Sequence, residues 1–480
     1  MIPKSSPSQL LHARRIGWLV FSMGRWSNPL QSRGVVTLGV YVIALVGVRF
    51  FEREYFKLVD FAQSVYGGEG GRIHMLRPGR RSFLSISHIT PWIIVFVALV
   101  SGEVQAESAL RSKSRSFSGE GVEARFLNVM RRIDESHVEE LVGAERWHQL
   151  KNQYVGRITS AKTHDDFARV LNAMFHEAAI SHFTYVTDRH WSYWHLRGDW
   201  EPSGDAAKVA HVGLVTEEIS GKWFVRGVLE SSPASGRGIL VGDELVSVDG
   251  VRYAEADSFK GKERQPVVVK LRRDPQTTYD VQLTPVRENY ALAIQQAMIQ
   301  SIQVIEYGNK KFAYAHVWTL LAPPTVFRRL SLLEHDVDGL LLDFRDGVGG
   351  RSEAAMFFLL GKRSHSGRVP RITPWQKPVV ILTDTGTRSA KEIVVDAVKR
   401  AGRAVLVGSP TPGEVSAVDV ERTGAVGDDG FLLLPWFRFP LEGHPVQPDF
   451  LVPRRLPYCA GYDPQIALAK DVLTASLVAH

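Results

Sequence analysis

The sequence predicts an α/β core preceded by an inserted β-rich unit and a helical N-terminal region. Three observations carry that expectation. Between residues 310 and 455, short apolar runs alternate with helical patterns, as in a sheet covered by helices. Residues 209–287 instead hold short strand-like runs separated by turn residues. Residues 120–180 carry helical periodicity.

At 480 residues the chain has room for two or three domains, and its 44% apolar and 23% charged content is ordinary for a globular protein. The formal charge of +7 is unevenly spread. Residues 1–106 carry 12 Lys/Arg against 5 Asp/Glu, which leaves 46 of each in the remainder. That neutral remainder excludes nucleic acid as a partner. One cysteine, Cys459, excludes an intramolecular disulfide and makes a cysteine-rich metal site implausible.

Residues 1–74 do not read as a domain, and the apolar run Val35–Val48 is short for a membrane span. Residues 75–106 do carry a pattern. Arg77, Arg80 and Arg81 precede the apolar run Ile89–Val100, and Val104-Gln105-Ala106 follows as a small-residue cleavage signal. This is the form of a secretory signal peptide, which places the mature protein in the periplasm or outside the cell. The alternative is an uncleaved tether through residues 89–100. Met75 is then expected to be the true start, with residues 1–74 an over-long gene model; the alternative is a first membrane segment at residues 35–50.

Residues 107–200 form the helical region. Phe126, Val129, Met130 and Ile133 line one helix, and Phe167, Val170, Leu171, Met174 and Phe175 line another, which Asp165 or Asp166 can cap. A β-rich segment, residues 180–186, follows and contains Ser181-His182. Beyond the linker at 202–205, strands are expected at Val212–Val215, Trp223–Val228, Glu244–Val248, Val267–Leu271 and Tyr279–Leu283, with a short helix after Ser231.

The core reads as strand Phe312–Val317, helix Thr325–Glu334, strand Gly339–Phe344, a glycine-bearing turn through Gly349 and Gly350, and helix Ser352–Leu360. Strand 378–382 then leads through Thr387-Arg388-Ser389 into a helix with Ile393, Val394, Ala397 and Val398 on one face. Strand Ala404–Val407 follows, and Gly430–Pro435 with Trp436–Pro440 resemble a hairpin. Ser389 falls at a strand-to-helix turn, where unpaired N–H groups and the helix dipole favour negative charge. It suits a nucleophile whose oxyanion is held by Ala390 N–H. Ser389 and Glu392 also form a capping-box pattern, which needs no chemistry.

Residues 231–250, with GILVGDELVSVDG and turns at Gly242-Asp243 and Asp249-Gly250, resemble a PDZ domain, here spanning 205–290. The resemblance implies that a peptide adds to a sheet edge and that a loop near His211, Val212, Gly213 and Leu214 captures its terminal carboxylate. The alternative is a unit that only packs on its neighbour.

The helical start, this unit, LLLDFRDGVGG, RSAKE, AVLVGSPTPG and EGHPVQPD, in that order, resemble the C-terminal processing (tail-specific) protease superfamily. That superfamily includes the tricorn core and the interphotoreceptor retinoid-binding protein. The resemblance spans about residues 120–455 and implies a crotonase-like core of ββα units, assigned here to 291–480. It implies that Ser389 is the nucleophile and that Ala390 with Gly349 or Gly350 supplies the oxyanion donors. The Ser-Lys branch has its lysine where this chain has Glu414. The tricorn-like branch has a Ser-His pair where this chain has Ser181-His182, and a carboxylate that Glu442 matches. Pro445 stands in place of that segment's usual glycine. Lys391 is expected to be solvated.

His176, His182, His190 and His195 lack the spacing of a metal set, so no metal or cofactor is expected. Trp191, Tyr193 and Trp194 suit core packing better than a substrate groove. The resulting expectation is a secreted or periplasmic serine endopeptidase acting on proteins or peptides with apolar C-termini. Its pH–rate profile should rise near pH 6–7. The alternative is a non-catalytic binder of peptides or apolar ligands.

Overall fold

Helices α1 (Val122–Asp134), α2 (Val138–Val142), α3 (Ala144–Thr159) and α4 (His164–Glu177) form where the sequence carries its apolar stripes. The computed structural model describes residues 121–321, 324–361 and 372–477, all within the unit Ser101–His480. The expected signal segment at 75–106 and residues 1–74 lie outside the described residues. Thr163, rather than Asp165 or Asp166, caps α4: its side chain accepts from Asp166 N–H. The two aspartates sit in the first turn, where they complement the helix dipole.

Strand β1 (Thr184–Thr187) follows, then helix α5 (Trp191–Trp200). The sequence reading missed α5 because aromatic and polar residues are mixed around its circumference, leaving no stripe. Its aromatics are packed: Trp191 stacks on Tyr290 with ring centres 5.1 Å apart, and Tyr193 is fully buried.

The inserted unit hangs on a two-stranded stem. β2 (Lys208–His211) pairs antiparallel with β9 (Val286–Asn289). Between them, β3 (Leu214–Ile219), β4 (Lys222–Val228), β5 (Glu244–Val248), β7 (Val267–Arg272) and β8 (Thr278–Leu283) form an antiparallel sheet in that order, with β6 (Val251–Arg252) on β5. Along β7 the alternation is plain: Val267, Val269 and Leu271 are buried while Val268 is exposed. No helix forms after Ser231. Positive φ at Ser231, Gly236 and Gly238 breaks that segment into turns.

Helix α6 (Tyr290–Gln300) leads into the central sheet, whose order is β10 (Gln303–Tyr307), β11 (Lys310–His316), β13 (Gly339–Asp343), β15 (Val379–Thr383), β16 (Val405–Gly408) and β21 (Phe450–Leu451). β10 runs antiparallel to β11; every other neighbouring pair is parallel. β13 and β15 are buried along their whole length, which is why they read as unbroken apolar runs. Leu340, Leu342 and Ile381 face the layer made by α6, α7 (Thr325–Leu333), α8 (Glu353–Leu360) and α9 (Ala390–Arg400). Leu341, Val380 and Leu382 face the opposite way, where Ala469 and Leu473 of α10 (Pro464–Ser476) cover them. Truncating such a leucine to alanine costs about 2–5 kcal/mol.

Two short strands flank the parallel ends: β12 (Thr319–Leu320) pairs with β14 (Val348–Gly350). The segments Gly430–Pro435 and Trp436–Pro440 do not pair with each other. β19 (Gly430–Leu433) lies between β1 and β18 (Gly424–Val426), whereas β20 (Pro435–Arg438) pairs with β17 (Ser416–Val418). The chain changes sheets at buried Leu434. Among the described residues no helix is long and apolar enough to cross a membrane.

Candidate active site

Ser389 stands at the N-cap of α9 with φ +59° and ψ −127°, a conformation an L-residue rarely adopts. The turn that imposes it is tied down. Thr387 Oγ1 donates to Phe344 O at 3.0 Å and accepts from Asp384 N–H at 3.0 Å. Ser389 N–H is shared between Glu414 O at 3.0 Å and Glu392 Oε2 at 3.2 Å. Ala390 N–H, the first of the helix, finds no acceptor among the described residues.

Glu392 has a larger task than capping. Its carboxylate also accepts from Gly413 N–H at 2.7 Å and Glu414 N–H at 2.8 Å. Burial pushes its carboxyl up, against the hydrogen bonds from Thr411, Gly413, Glu414 and Ser389. The strip Gly413–Ser416 is thereby fixed beside the start of α9. Glu414 itself points to Arg388, with 3.4 Å between their charged atoms.

Gly349 of β14 faces the serine. A Cβ placed there would lie 2.5 Å from Ser389 Cβ, 2.9 Å from its Oγ and 2.9 Å from Ala390 N. Gly350, with φ +130°, faces Leu320 and Leu321 instead. Gly349 is therefore the glycine in contact with Ser389. The turn before it is pinned by charge: Asp346 pairs with Arg226 and with Arg454 at 2.9 Å, and Arg226 reaches Asp384 at 2.6 Å. Sequence reasoning missed Arg226, which lies in the inserted unit and shares no local pattern with residues 346 and 384.

Lys391 is not solvated; its exposure is 0%. Its Nζ donates to Asp346 O at 2.7 Å, Trp318 O at 3.2 Å and Phe344 O at 3.3 Å. Burial pushes its ammonium down to about 8, against the pull of Asp346, Asp384 and Asp343.

On the other side of the 413–416 strip, Ser181, His182 and Glu442 meet. Glu442 Oε1 accepts Ser181 N–H at 2.9 Å, and Oε2 takes the Ser181 hydroxyl at 2.8 Å and Val415 N–H at 2.5 Å. Ser181 Oγ lies 3.0 Å from His182 Nδ1 and accepts Ser416 N–H at 3.1 Å. His182 is part-buried, with φ +61°. Burial and the nearby Arg388 push its imidazole down to about 4, against Glu442. No hydrogen bond joins His182 to Ser389 among the described residues. His444 binds Glu442 O and is exposed.

The segment expected to receive a peptide carboxylate is packed. His211, Val212, Gly213 and Leu214 are all buried. Val212 O and Gly213 O accept from Ala234 and Leu229 at 3.0 and 2.8 Å. The His211 ring is buried as well, its Nε2 3.3 Å from Glu288 Oε1. Among the described residues, no group of three or more His, Cys, Asp or Glu could hold a metal.

Ser389 is thus held in a strained turn, with the Ala390 N–H beside it and Gly349 pressed against it, an arrangement suited to a serine nucleophile. Residues 311–444 match the family model for Peptidase family S41. Among curated relatives, the carboxy-terminal processing protease CtpB of Bacillus subtilis is 23% identical over 254 residues, which is 48% of this chain and 51% of that protein. This chain thus spans about half the length of that relative. The chloroplastic C-terminal processing peptidase of Tetradesmus obliquus is 25% identical over 336 residues, 60% of this chain and 68% of that one. Among solved structures, a photosystem II D1 C-terminal processing protease aligns at 18% identity with a TM-score of 0.43, covering 69% of this chain and 93% of its own.

Proposed function

We propose that the chain is a serine endopeptidase in which His182 activates Ser389 and the Ser181–Glu442 pair orients His182. The observation that carries this is the proton arrangement at Ser181. Its hydroxyl has one hydrogen, and the acceptor-only carboxylate of Glu442 takes it. Ser416 N–H then donates to Ser181 Oγ, leaving that oxygen as acceptor for a proton on His182 Nδ1. Nε2 is left with the lone pair, which is the state a general base requires.

In the proposed cycle, Nε2 takes the Ser389 proton as Oγ attacks the scissile carbonyl carbon. The oxyanion is held by Ala390 N–H and the Gly349–Gly350 strand. The imidazolium returns the proton to the leaving amine, and water, activated by the same base, releases the acyl-enzyme. His182 and Ser389 come into hydrogen-bond range when substrate binds, as catalytic contacts are often long in a free enzyme. Lys391 does not compete as the base. All three of its ammonium hydrogens are spent on carbonyls, leaving no lone pair for Ser389.

The inserted unit is proposed to be a PDZ domain that selects apolar C-terminal segments. Its edge strand β3, directly after Gly213, offers a free side for strand addition. The segment at 75–106 supports export to the periplasm or the exterior. The central sheet is proposed to follow the crotonase-like ββα pattern.

Labelling with a fluorophosphonate tests the reading. The wild-type protein should label at Ser389, Ser389→Ala should not, and His182→Ala and Glu442→Gln should label far more slowly. A folded wild-type protein that stays unlabelled is a binder of peptides or apolar ligands instead.

A further inference from the structure

We propose that Lys391 is a positioning residue that locks the two halves of the oxyanion hole together. This rests on the peptidase reading above and deepens it. One half, Ala390 N–H, sits at the start of α9; the other, the glycine strand β14, arrives from a separate part of the chain. Lys391 is the residue after Ala390, so its backbone moves with the first half. Its Nζ grips Asp346 O, the last carbonyl before Gly347, at 2.7 Å. That carbonyl leads directly into Gly347-Val348-Gly349.

The other two acceptors make the grip rigid. Phe344 O, which ends β13, takes both Lys391 Nζ at 3.3 Å and Thr387 Oγ1 at 3.0 Å. Trp318 O, beyond β11, takes Lys391 Nζ at 3.2 Å and Val348 N–H at 3.0 Å. The glycine strand passes so close over this carbonyl that a Cβ on Gly347 would lie 1.8 Å from Trp318 O. One ammonium therefore gathers the carbonyl ends of two neighbouring strands and the entry to the glycine strand. It does so from the same helical turn that carries Ser389 and Ala390.

The charge of Lys391 matters as well as its reach. Three carbonyl dipoles converge on it, and a neutral amine with two hydrogens cannot serve all three. The groups that bias its charge come from every side. Asp346, Asp384 and Asp343 favour it and Arg388 opposes it, while Lys391 in turn disfavours protonation of the buried His195. Arg226 and Arg454 neutralise Asp346 and Asp384 in part.

The experiment compares wild type with Lys391→Met and Lys391→Arg in the full chain, using one fluorogenic peptide and a fluorophosphonate. Lys391→Met keeps the length and loses charge and donors. Its kcat should fall on the order of 10²-fold with KM nearly unchanged, as when an oxyanion donor is lost, and fluorophosphonate labelling should slow in parallel. Lys391→Arg should restore part of kcat. Wild-type kcat should also fall as pH rises through about 8, with labelling falling alongside. Lys391→Met should lack that limb. If Lys391→Met does not fold, Lys391→Gln takes its place, and kcat and labelling equal to wild type overturn the proposal. Equal kcat in wild type and Lys391→Met also overturns it. A wild-type protein that never labels removes the peptidase reading itself, a result distinct from normal labelling of Lys391→Met.

Discussion

Replacing Gly349 with alanine is a sharp test of how closely the glycine strand serves Ser389. The new methyl carbon would lie 2.5 Å from Ser389 Cβ, whereas ordinary carbon contact begins at about 3.4 Å, so one group has to move by roughly 0.9 Å. Gly349 has no left-handed φ, so the backbone itself accepts alanine and the perturbation is purely steric. Ser389 cannot yield freely, because its N–H is held by Glu414 and Glu392. Misplacement by about 1 Å costs on the order of 10²-fold in rate, equivalent to about 2.7 kcal/mol of barrier. Overpacking should lower stability by about 1–3 kcal/mol. The assay is kcat/KM on a fluorogenic peptide beside thermal unfolding. Gly156→Ala is the control: it lies on α3 with open space around it and should leave turnover unchanged. A Gly349→Ala protein that turns over as wild type would refute the assignment of β14 to the oxyanion hole.

Two further outcomes follow from the site. Burial and the nearby Arg388 push the His182 imidazole from an ordinary 6.5 down to about 4, so with His182 as the base the acid limb of kcat/KM should lie well below pH 6.5, and Arg388→Ala should raise it. A limb at pH 6–7 would contradict the burial described here. The folded state also binds fewer protons on this group than the unfolded chain. Its contribution to stability is full above pH 6.5 and is lost as pH falls toward 4, on the order of 3 kcal/mol over that window; unfolding midpoints between pH 4 and 8 measure it. Peptides with free apolar C-termini should bind the inserted unit more tightly than their amides in calorimetry, and equal affinities would exclude carboxylate capture.

Much of the fold was legible because it is local. The strand–turn–helix around Ser389 shows in residues 378–401, and the alternation of β7 shows in Val267–Leu271. What escaped is non-local. Two strands consecutive in sequence, β19 and β20, choose different partners, and only the distant β1 and β17 decide that. Lys391 looked like a surface lysine because its three acceptors come from residues 318, 344 and 346, unseen from its own helix. The acid shift of His182 likewise arises from burial by segments far along the chain. At the candidate site, the motif order named Ser181, His182 and Glu442, and the structure brings these three together. The Ser181 relay between Glu442 and His182 was not legible, since it depends on which hydroxyl proton goes where.

The bond between Ser181 and Glu442 joins residues 261 positions apart, and β1, which starts three residues after Ser181, pairs with the equally distant β19. A growing chain that has already made Ser389 still lacks Glu442, which holds Ser181, and β19, which pairs with β1. Contacts this distant in sequence close late. The strand–turn–helix around Ser389, closed by local contacts, is therefore expected to form before the Ser181–Glu442 contact does.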